Sequence, residues 1–454
     1  MKHFETFFIK YLLLLQLGAI FFLAFGVRVM WISYIDSYPT MDAYEYYSNA
    51  VKLSAEGIVN FYWPIGYSFL LAILMKLGIG NLFYIKLLNV FLSSATTVIA
   101  FLISKRFVFD KILRFSCALF LIFYPELIFF TSLLWSETLF IFCFALFFYL
   151  FLKEKYFLSS VIYSFSLFVK PILIFFPLVL LVFDRTGKNK IRMLFTIYLV
   201  TFLFHLPWTV YVYSKTDRFA FVSTNGSTNL FIGNNKFSSG HYDENGLQNL
   251  NQFPTKDMKE IVLDFWINEY QSLPLLVFKK VSYLIFSMPK PWIGSIGIGT
   301  NLHSGLPRYI DEKKFNLLLD RYPNENVLLK DVYEMSKVGG LYSLRAGAND
   351  FEKSTVSNKL LYSGVFEYEL DKQLGSLSSF SYLVSFSIVF CFLLRLTFFG
   401  VKANSMYFIP LYFILFYSFF FGDFRFFLPA IPFVIIGNFV CKRSFSFGNK
   451  VLRV

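Results

Sequence analysis

The sequence predicts an all-α polytopic membrane protein, and three observations carry that prediction. Of 454 residues, 56% are hydrophobic and only 16% are charged, against roughly 25% charge in a soluble domain. Apolar runs of the ~20 residues needed to cross a bilayer recur along the chain. Basic residues gather in the short loops on one side of those runs.

The charge distribution sets both orientation and function class. Net charge is +13, which taken alone could indicate nucleic acid. The short loops assigned to the cytoplasm hold eighteen basic residues, among them Lys105, Arg106, Lys111, Arg114, Lys153, Lys155, Lys190 and Arg192. They carry only four acidic ones, Glu5, Asp110, Glu154 and Asp184, so the rest of the chain is close to neutral. This is the positive-inside pattern of a multi-pass protein in a plasma (inner) membrane, with both termini cytoplasmic and no role for nucleic acid. The four cysteines, Cys117, Cys143, Cys391 and Cys441, lie in apolar runs or at their cytoplasmic ends, with no disulfide or zinc spacing, and read as small buried apolar residues.

The first run, Phe7 to Trp31, is too long for a signal-peptide core and lacks a cleavage site, so it reads as a span. Arg28 near its outer end either snorkels to headgroups or contacts a phosphate. An outer loop over 32–82 follows, placing Asp36, Asp42 and Glu45 beside the membrane among tyrosines and a Trp-Pro pair. Acidic groups there are costly unless solvated, paired or used. Asp42, Glu45 and Asn49 have the spacing of one helix face. Pro64 to Leu77 is short and opens with Pro64 and Gly66, which fits a re-entrant or interfacial helix.

Further spans are expected at 83–104 and 112–130, then at 137–151, opened by Glu137. A carboxylate there either complements a helix dipole or serves a site. Between Tyr156 and Phe183 both flanks are basic, so the run goes out and back or does not cross. Lys170-Pro171 breaks it at the midpoint, and a lysine inside an apolar run points to an anion in a cavity. The span 193–213 ends in His205-Leu206-Pro207-Trp208, with His205 read as a hydrogen-bonded packing residue.

Residues 214–376 have the composition of a soluble extracytoplasmic region. Turn chemistry around a strand-like piece is expected at 222–235, and helices at 256–271 and 275–286. Spans at 377–396, 403–421 and 426–440 close a C-terminal membrane section over 377–454, after an N-terminal catalytic module over 1–213. Arg425, between the last two spans, either pairs with Asp423 or forks onto a phosphate.

At these residues the chain resembles a family. Asp42-Ala-Tyr-Glu-Tyr-Tyr-Ser-Asn-Ala50, Pro64-Ile-Gly-Tyr67, Pro125 through Ser132 to Glu137, Lys170-Pro171, Pro207-Trp208, the string Ser223 to Asn235, and Arg425-Phe-Phe-Leu-Pro429 occur in the order of the GT-C glycosyltransferases. They are similar to the family-39 group, with its protein O-mannosyltransferases and lipid A aminoarabinose transferases. Two places depart: Val210-Tyr211-Val212 stands where that group often has Arg-Asn, and Trp63 and Ile65 stand where an arginine is common.

The resemblance implies a GT-C helix bundle of about 10–13 spans with a mixed α/β outer region. It implies inverting transfer of a sugar from a polyprenyl-phosphate donor to an acceptor on the outer face. Asp42 would then be the general base. Glu137 would orient the acceptor, tune Asp42 or share a divalent cation (Mg or Mn) with it. Lys170 and Arg425 would stabilise the leaving phosphate. Glu45, Arg28, Tyr46, Tyr67 and Asn234 join them as substrate-binding candidates. The rival class is a lipid-linked glycan polymerase, ligase or flippase, which lacks a carboxylate helix directly after span one.

Overall fold

The computed structural model describes residues 2–34, 39, 41–183, 190–286, 308–310, 366–368, 374–399 and 405–440. Asp36, Asp184, Cys441, nearly all of 289–375 and the loop residues Arg185, Lys188, Lys402, Lys442, Arg443, Lys450 and Arg453 lie outside them, as do the expectations placed on them.

Helix dominates. The first elements are α1 (Lys2–Tyr34), α2 (Asp42–Glu56), α3 (Ile65–Lys76), α4 (Leu82–Phe107), α5 (Lys111–Ile122), α6 (Pro125–Phe129), α7 (Glu137–Leu152), α8 (Tyr156–Val169), α9 (Phe176–Leu180) and α10 (Lys190–Thr216). Next come α11 (Gly226–Gly233), α12 (Asn245–Gln248), α13 (Met258–Asn268) and α14 (Leu273–Phe286). The last are α15 (Leu374–Phe399), α16 (Phe408–Ser418), α17 (Phe424–Phe427) and α18 (Ile431–Phe439). Two described strands, β1 (Arg308–Ile310) and β2 (Phe366–Tyr368), pair antiparallel with Arg308 opposite Tyr368.

Among the described residues, four helices are long and apolar enough to cross a membrane: Lys10–Ser33, Leu82–Phe107, Lys190–Thr216 and Ser379–Phe398. Three of them turn large apolar side chains outward: Leu14, Phe22 and Met30 on α1, Phe195 and Phe202 on α10, Leu383 and Phe398 on α15. Apolar surface on that scale is compatible with membrane association. Cys391 belongs to this exposed face, unlike the buried Cys117 and Cys143.

The other apolar runs are made of shorter helices, and prolines account for much of this. The run expected at 112–130 ends α5 at Ile122 and restarts at Pro125. Lys170 is extended (φ −151°, ψ 120°), as the residue before a proline prefers, and Pro171 opens a 3-10 turn before α9. At the C-terminal end, Pro429 lies in a second such turn between α17 and α18.

Within 222–235 the chain forms α11, where a strand-like piece was expected. Phe231 buries against Ile261, Val262 and Phe253 from the α13 side. The amides of Asn234 and Asn235 donate to the Leu230 and Phe231 carbonyls (2.7 and 2.8 Å), closing the carbonyl end of α11. Tertiary packing and side-chain capping override the local turn chemistry.

α7 is apolar all round and is buried on all sides, between α4 and α8 and against the C-terminal helices. Its Phe144 ring meets Phe176 at 4.9 Å, Phe433 at 5.0 Å and Phe413 at 5.7 Å. On α4, buried Ser94 and Thr96 return their hydroxyls to carbonyls one turn back (2.7 and 2.8 Å), so a small-residue face can pack in an apolar setting. The first residue of this central helix is Glu137, which is how a carboxylate comes to be held in the middle of the bundle.

Segment 219–286 is fastened to the 419–423 turn by two close approaches. A Cβ on Gly233 would stand 1.9 Å from the Phe420 oxygen, and one on Gly422 would stand 2.0 Å from the Lys280 oxygen. In both cases backbone meets backbone, so neither contact can yield by a rotamer change. Gly422→Ala is therefore expected to unseat α14 from the turn that carries Arg425, at a cost of about 1–3 kcal/mol. Thermal unfolding in detergent against the wild type checks this; an unchanged midpoint would show that the turn adapts.

Candidate functional site

Met41, ahead of α2, has φ 54°, a region that side-chain-bearing residues rarely adopt. This strained residue sets the entry of α2 and leaves Asp42 as its first helical residue, lining a cavity of about 1030 Å³. Arg425 Nη1 donates to Asp42 Oδ2 at 2.5 Å. Beside this pair, Lys170 Nζ donates to Glu137 Oε1 at 2.6 Å, with the two side chains 12% and 3% exposed. The proline break delivers Lys170 and the N-terminus of α7 delivers Glu137, where the helix dipole also favours a carboxylate.

One aromatic ring joins the two pairs. The Arg425 guanidinium lies over Phe426 at 4.8 Å and over Trp135 at 4.9 Å, and Lys170 Nζ lies 5.4 Å from Phe426. Phe426 in turn stacks flat on Tyr417 at 4.6 Å. Burial alone would lower the Arg425 pKa, but the carboxylates of Asp42, Asp423 and Glu137 outweigh it and raise it. The guanidinium therefore stays charged.

Tyr46, one turn after Asp42, also lines the cavity and accepts a hydrogen bond from Ser136 Oγ at 3.3 Å. Burial first, then Asp42 and Glu137, push its phenol pKa up, so it remains a neutral hydroxyl. The remaining walls are of two kinds. Ile172, Ile174, Phe175, Leu415 and Phe416 are apolar, while Ser223, Asn225, Thr228, Asn229 and Glu244 supply a polar rim.

The other sequence candidates stand elsewhere. Arg28 is fully buried, and its guanidinium is spent on Ser93 Oγ (2.8 Å) and on the carbonyls of Ala24, Leu121 and Ile122 (3.1–3.2 Å). It neither snorkels nor faces the cavity; it closes the carbonyl end of α5. Tyr67 is buried behind the wall and donates to Asn89 Oδ1 at 3.2 Å. Glu45 takes a hydrogen bond from Trp63, its carboxyl raised by burial and by Asp42. Asn49 Oδ1 accepts the Asn60 N–H at 3.0 Å. The face shared by Asp42, Glu45 and Asn49 thus does three separate jobs. Glu126, which follows the Pro125 break, is a further buried carboxylate and takes Ser381 and Ser385 of α15 at 2.7 and 2.5 Å.

Asn234 holds a structural knot. Its Oδ1 accepts from Lys280 Nζ (2.8 Å) and Trp266 Nε1 (3.1 Å), while its Nδ2 donates to the Phe419 carbonyl (2.7 Å). Lys280 has no carboxylate partner among the described residues, and burial pulls its pKa down to about 7. His205 packs flat between Phe168 and Phe221, with centroids 4.2 and 4.3 Å away, and its Nδ1 is 2.9 Å from the Thr201 carbonyl.

Among the described residues no group of three or more His, Cys, Asp or Glu side chains comes together as a metal cage. The two carboxylates considered as ligands, Asp42 and Glu137, each bear on a cation instead. Trp135, Phe426, Asp423 and His241 are the site residues that sequence reasoning missed or took for local contacts. In a chain that is 22% aromatic, the first two carried no signal beyond standing next to Glu137 and Arg425. No family model, curated protein or solved structure matches the chain.

Two outcomes follow from the buried charges. Lys170→Met leaves Glu137 unpaired and is expected to cost about 3–5 kcal/mol, much of it recovered by adding Glu137→Gln; a double-mutant cycle in detergent checks this. Between pH 7 and the ordinary lysine value of 10.5, the unfolded chain keeps a proton on Lys280 that the folded chain has released. Wild-type stability should therefore rise with pH across that window, by a margin that Lys280→Met abolishes. Equal slopes in the two proteins would refute the assignment.

Proposed function

We propose that the chain is a multi-pass membrane glycosyltransferase of GT-C type, moving a sugar from a polyprenyl-phosphate donor to an acceptor on the extracytoplasmic face. In this reading residues 214–376 form the outer cap. The observation that carries it is the meeting of Asp42–Arg425 and Glu137–Lys170 in one cavity, from four segments far apart in sequence, next to apolar walls. Two cations over one ring suit a phosphate, the apolar wall suits a prenyl chain, and the aromatic and amide rim suits a sugar.

The Asp42–Arg425 pair gives the mechanism its order. A carboxylate held by a guanidinium at 2.5 Å is a poor base. An arriving donor phosphate offers Arg425 a second, doubly accepting partner. As Arg425 turns to it, Asp42 is released. Asp42 then takes the proton of the acceptor hydroxyl or amine while that atom attacks the anomeric carbon. The bond from that carbon to the phosphate oxygen breaks on the opposite face, so configuration inverts. The electron pair stays on the phosphate, where Arg425 and Lys170 bear it. Glu137, loosened from Lys170 as the lysine follows the charge, orients the acceptor.

The test uses purified protein in lipid with a panel of radiolabelled polyprenyl-phosphate sugars, reading release of polyprenyl phosphate. Asp42→Asn is expected to lower release by about 10²- to 10⁴-fold with the fold intact. Arg425→Ala should weaken donor use far more than acceptor use. Failure of folded wild type to release polyprenyl phosphate from any donor would overturn the transferase reading in favour of a polymerase or flippase.

A further inference from the structure

Asp423 stands between two cationic candidates and hydrogen-bonds to neither side chain. Its Oδ2 is 3.9 Å from Arg425 Nε and 3.9 Å from His241 Nε2. Both distances are too long for a hydrogen bond, and a shift of about 1 Å toward either makes one. Its other oxygen is committed, taking the Arg425 N–H at 2.9 Å and capping α17. Arg425 Nε is buried and makes no hydrogen bond among the described residues.

The His241 ring presents Nε2 to Asp423. Its Nδ1 lies 3.0 Å from the Tyr242 carbonyl, which can only accept, so Nδ1 carries hydrogen. The neutral ring then turns the lone pair of Nε2 toward the Asp423 carboxylate; a second proton turns that lone pair into a donor. The backbone keeps the ring there. His241 bridges to Gly422, and the Gly422 N–H donates to the Gly240 carbonyl at 2.9 Å.

Other groups near the ring are committed elsewhere, uncharged or, for Lys279, turned to solvent. Tyr283 of α14 lies edge-on at 5.1 Å, and Lys279 is exposed beside Gly240. Lys280 goes to Asn234 and to the Ser418 carbonyl. On the segment of His241 itself, Asp243 takes the Ser239 hydroxyl and Glu244 takes the Tyr242 hydroxyl. Asp423 is the carboxylate in ion-pair reach of the ring among the described residues.

We propose that His241 is a positioning residue for Arg425, acting through Asp423: a proton on the ring draws Asp423 away and leaves the guanidinium free to grip the donor phosphate. The neutral ring lets Asp423 close on Arg425 Nε and tether it. This rests on the donor reading above, extends it to the outer segment, and makes donor affinity depend on pH through a residue that lines the same cavity and reaches Arg425 by way of Asp423.

The experiment measures binding of polyprenyl monophosphate to the full chain in lipid nanodiscs from about pH 5.5 to pH 8. Comparison with His241→Gln removes the titration of the phosphate itself. Relative to that variant, wild type should bind roughly 5- to 10-fold tighter at the acid end, an ordinary coupling between sites. His241→Lys and Asp423→Asn should hold the tight affinity across the range. Asp423→Asn also reads the coupling if His241→Gln does not fold.

A ligand-free readout is Trp135 emission, since Arg425 lies over that ring. A pH-dependent shift is expected in wild type and absent in His241→Gln, with Trp135→Phe identifying the signal. Binding with the same pH dependence in wild type and His241→Gln overturns the proposal and leaves the donor reading standing. No binding at any pH overturns the donor reading, and the Trp135 shift then decides whether the coupling exists.

Discussion

The contact between Asp42 and Arg425 joins residues 383 positions apart and closes the chain on itself. Taking a carboxylate and a guanidinium out of water costs several kcal/mol per ion, and only close, well-directed pairing offsets it. That requirement propagates outward. Asp42 needs α2 held at its start, which the strained Met41 and the packing of α2 on α3 provide. Arg425 needs its turn fixed, which the Asp423 cap and the glycine-mediated seating of α14 provide. Trp135 and Phe426 keep water from the guanidinium faces without competing for its hydrogens.

The sequence made the charged centre visible because charges in an apolar chain are scarce and conspicuous. Asp42, Glu137, Lys170 and Arg425 all stood out for that reason, and Lys170-Pro171 also announced its own helix break. Partnership was not legible. Arg28 met the same criterion as Arg425, yet its donors are absorbed by carbonyls of a helix end that arrives some ninety residues later. Asn234 belonged to a suggestive string, yet its amide serves Lys280 and a distant turn. Local chemistry decides that a polar group in such a chain must be satisfied; only the tertiary fold decides by what.

The same limit explains the helix lengths. Hydropathy averages over a window, and a proline breaks a helix without lowering the average. Runs that read as single spans are therefore built as short helices meeting at Tyr124-Pro125 and Leu428-Pro429, as the run that was expected to break is at Lys170-Pro171. Lys170 and Arg425 lie at or near two of these breaks, and Glu126 lies at the third. A helix end frees backbone and lets the chain turn, so it is also where a charged side chain can be aimed across the bundle instead of along a helix surface.

Two compensated pairs, in place of two bare cations, have a physical consequence for anion binding. A lone buried arginine would lose its charge or draw in water, and either would weaken a later contact with phosphate. A cation already paired with a carboxylate has had its dehydration offset during folding. In the transferase we propose, a phosphate entering the cavity exchanges with that carboxylate, and each carboxylate displaced becomes available for chemistry at the moment the anion is seated. Arg425 is the extreme case because three carboxylates act on it, from Asp42, Asp423 and Glu137. Its readiness to leave Asp42 depends on what holds Asp423. The nearest group that can change that hold is a histidine on the segment stitched to the same turn.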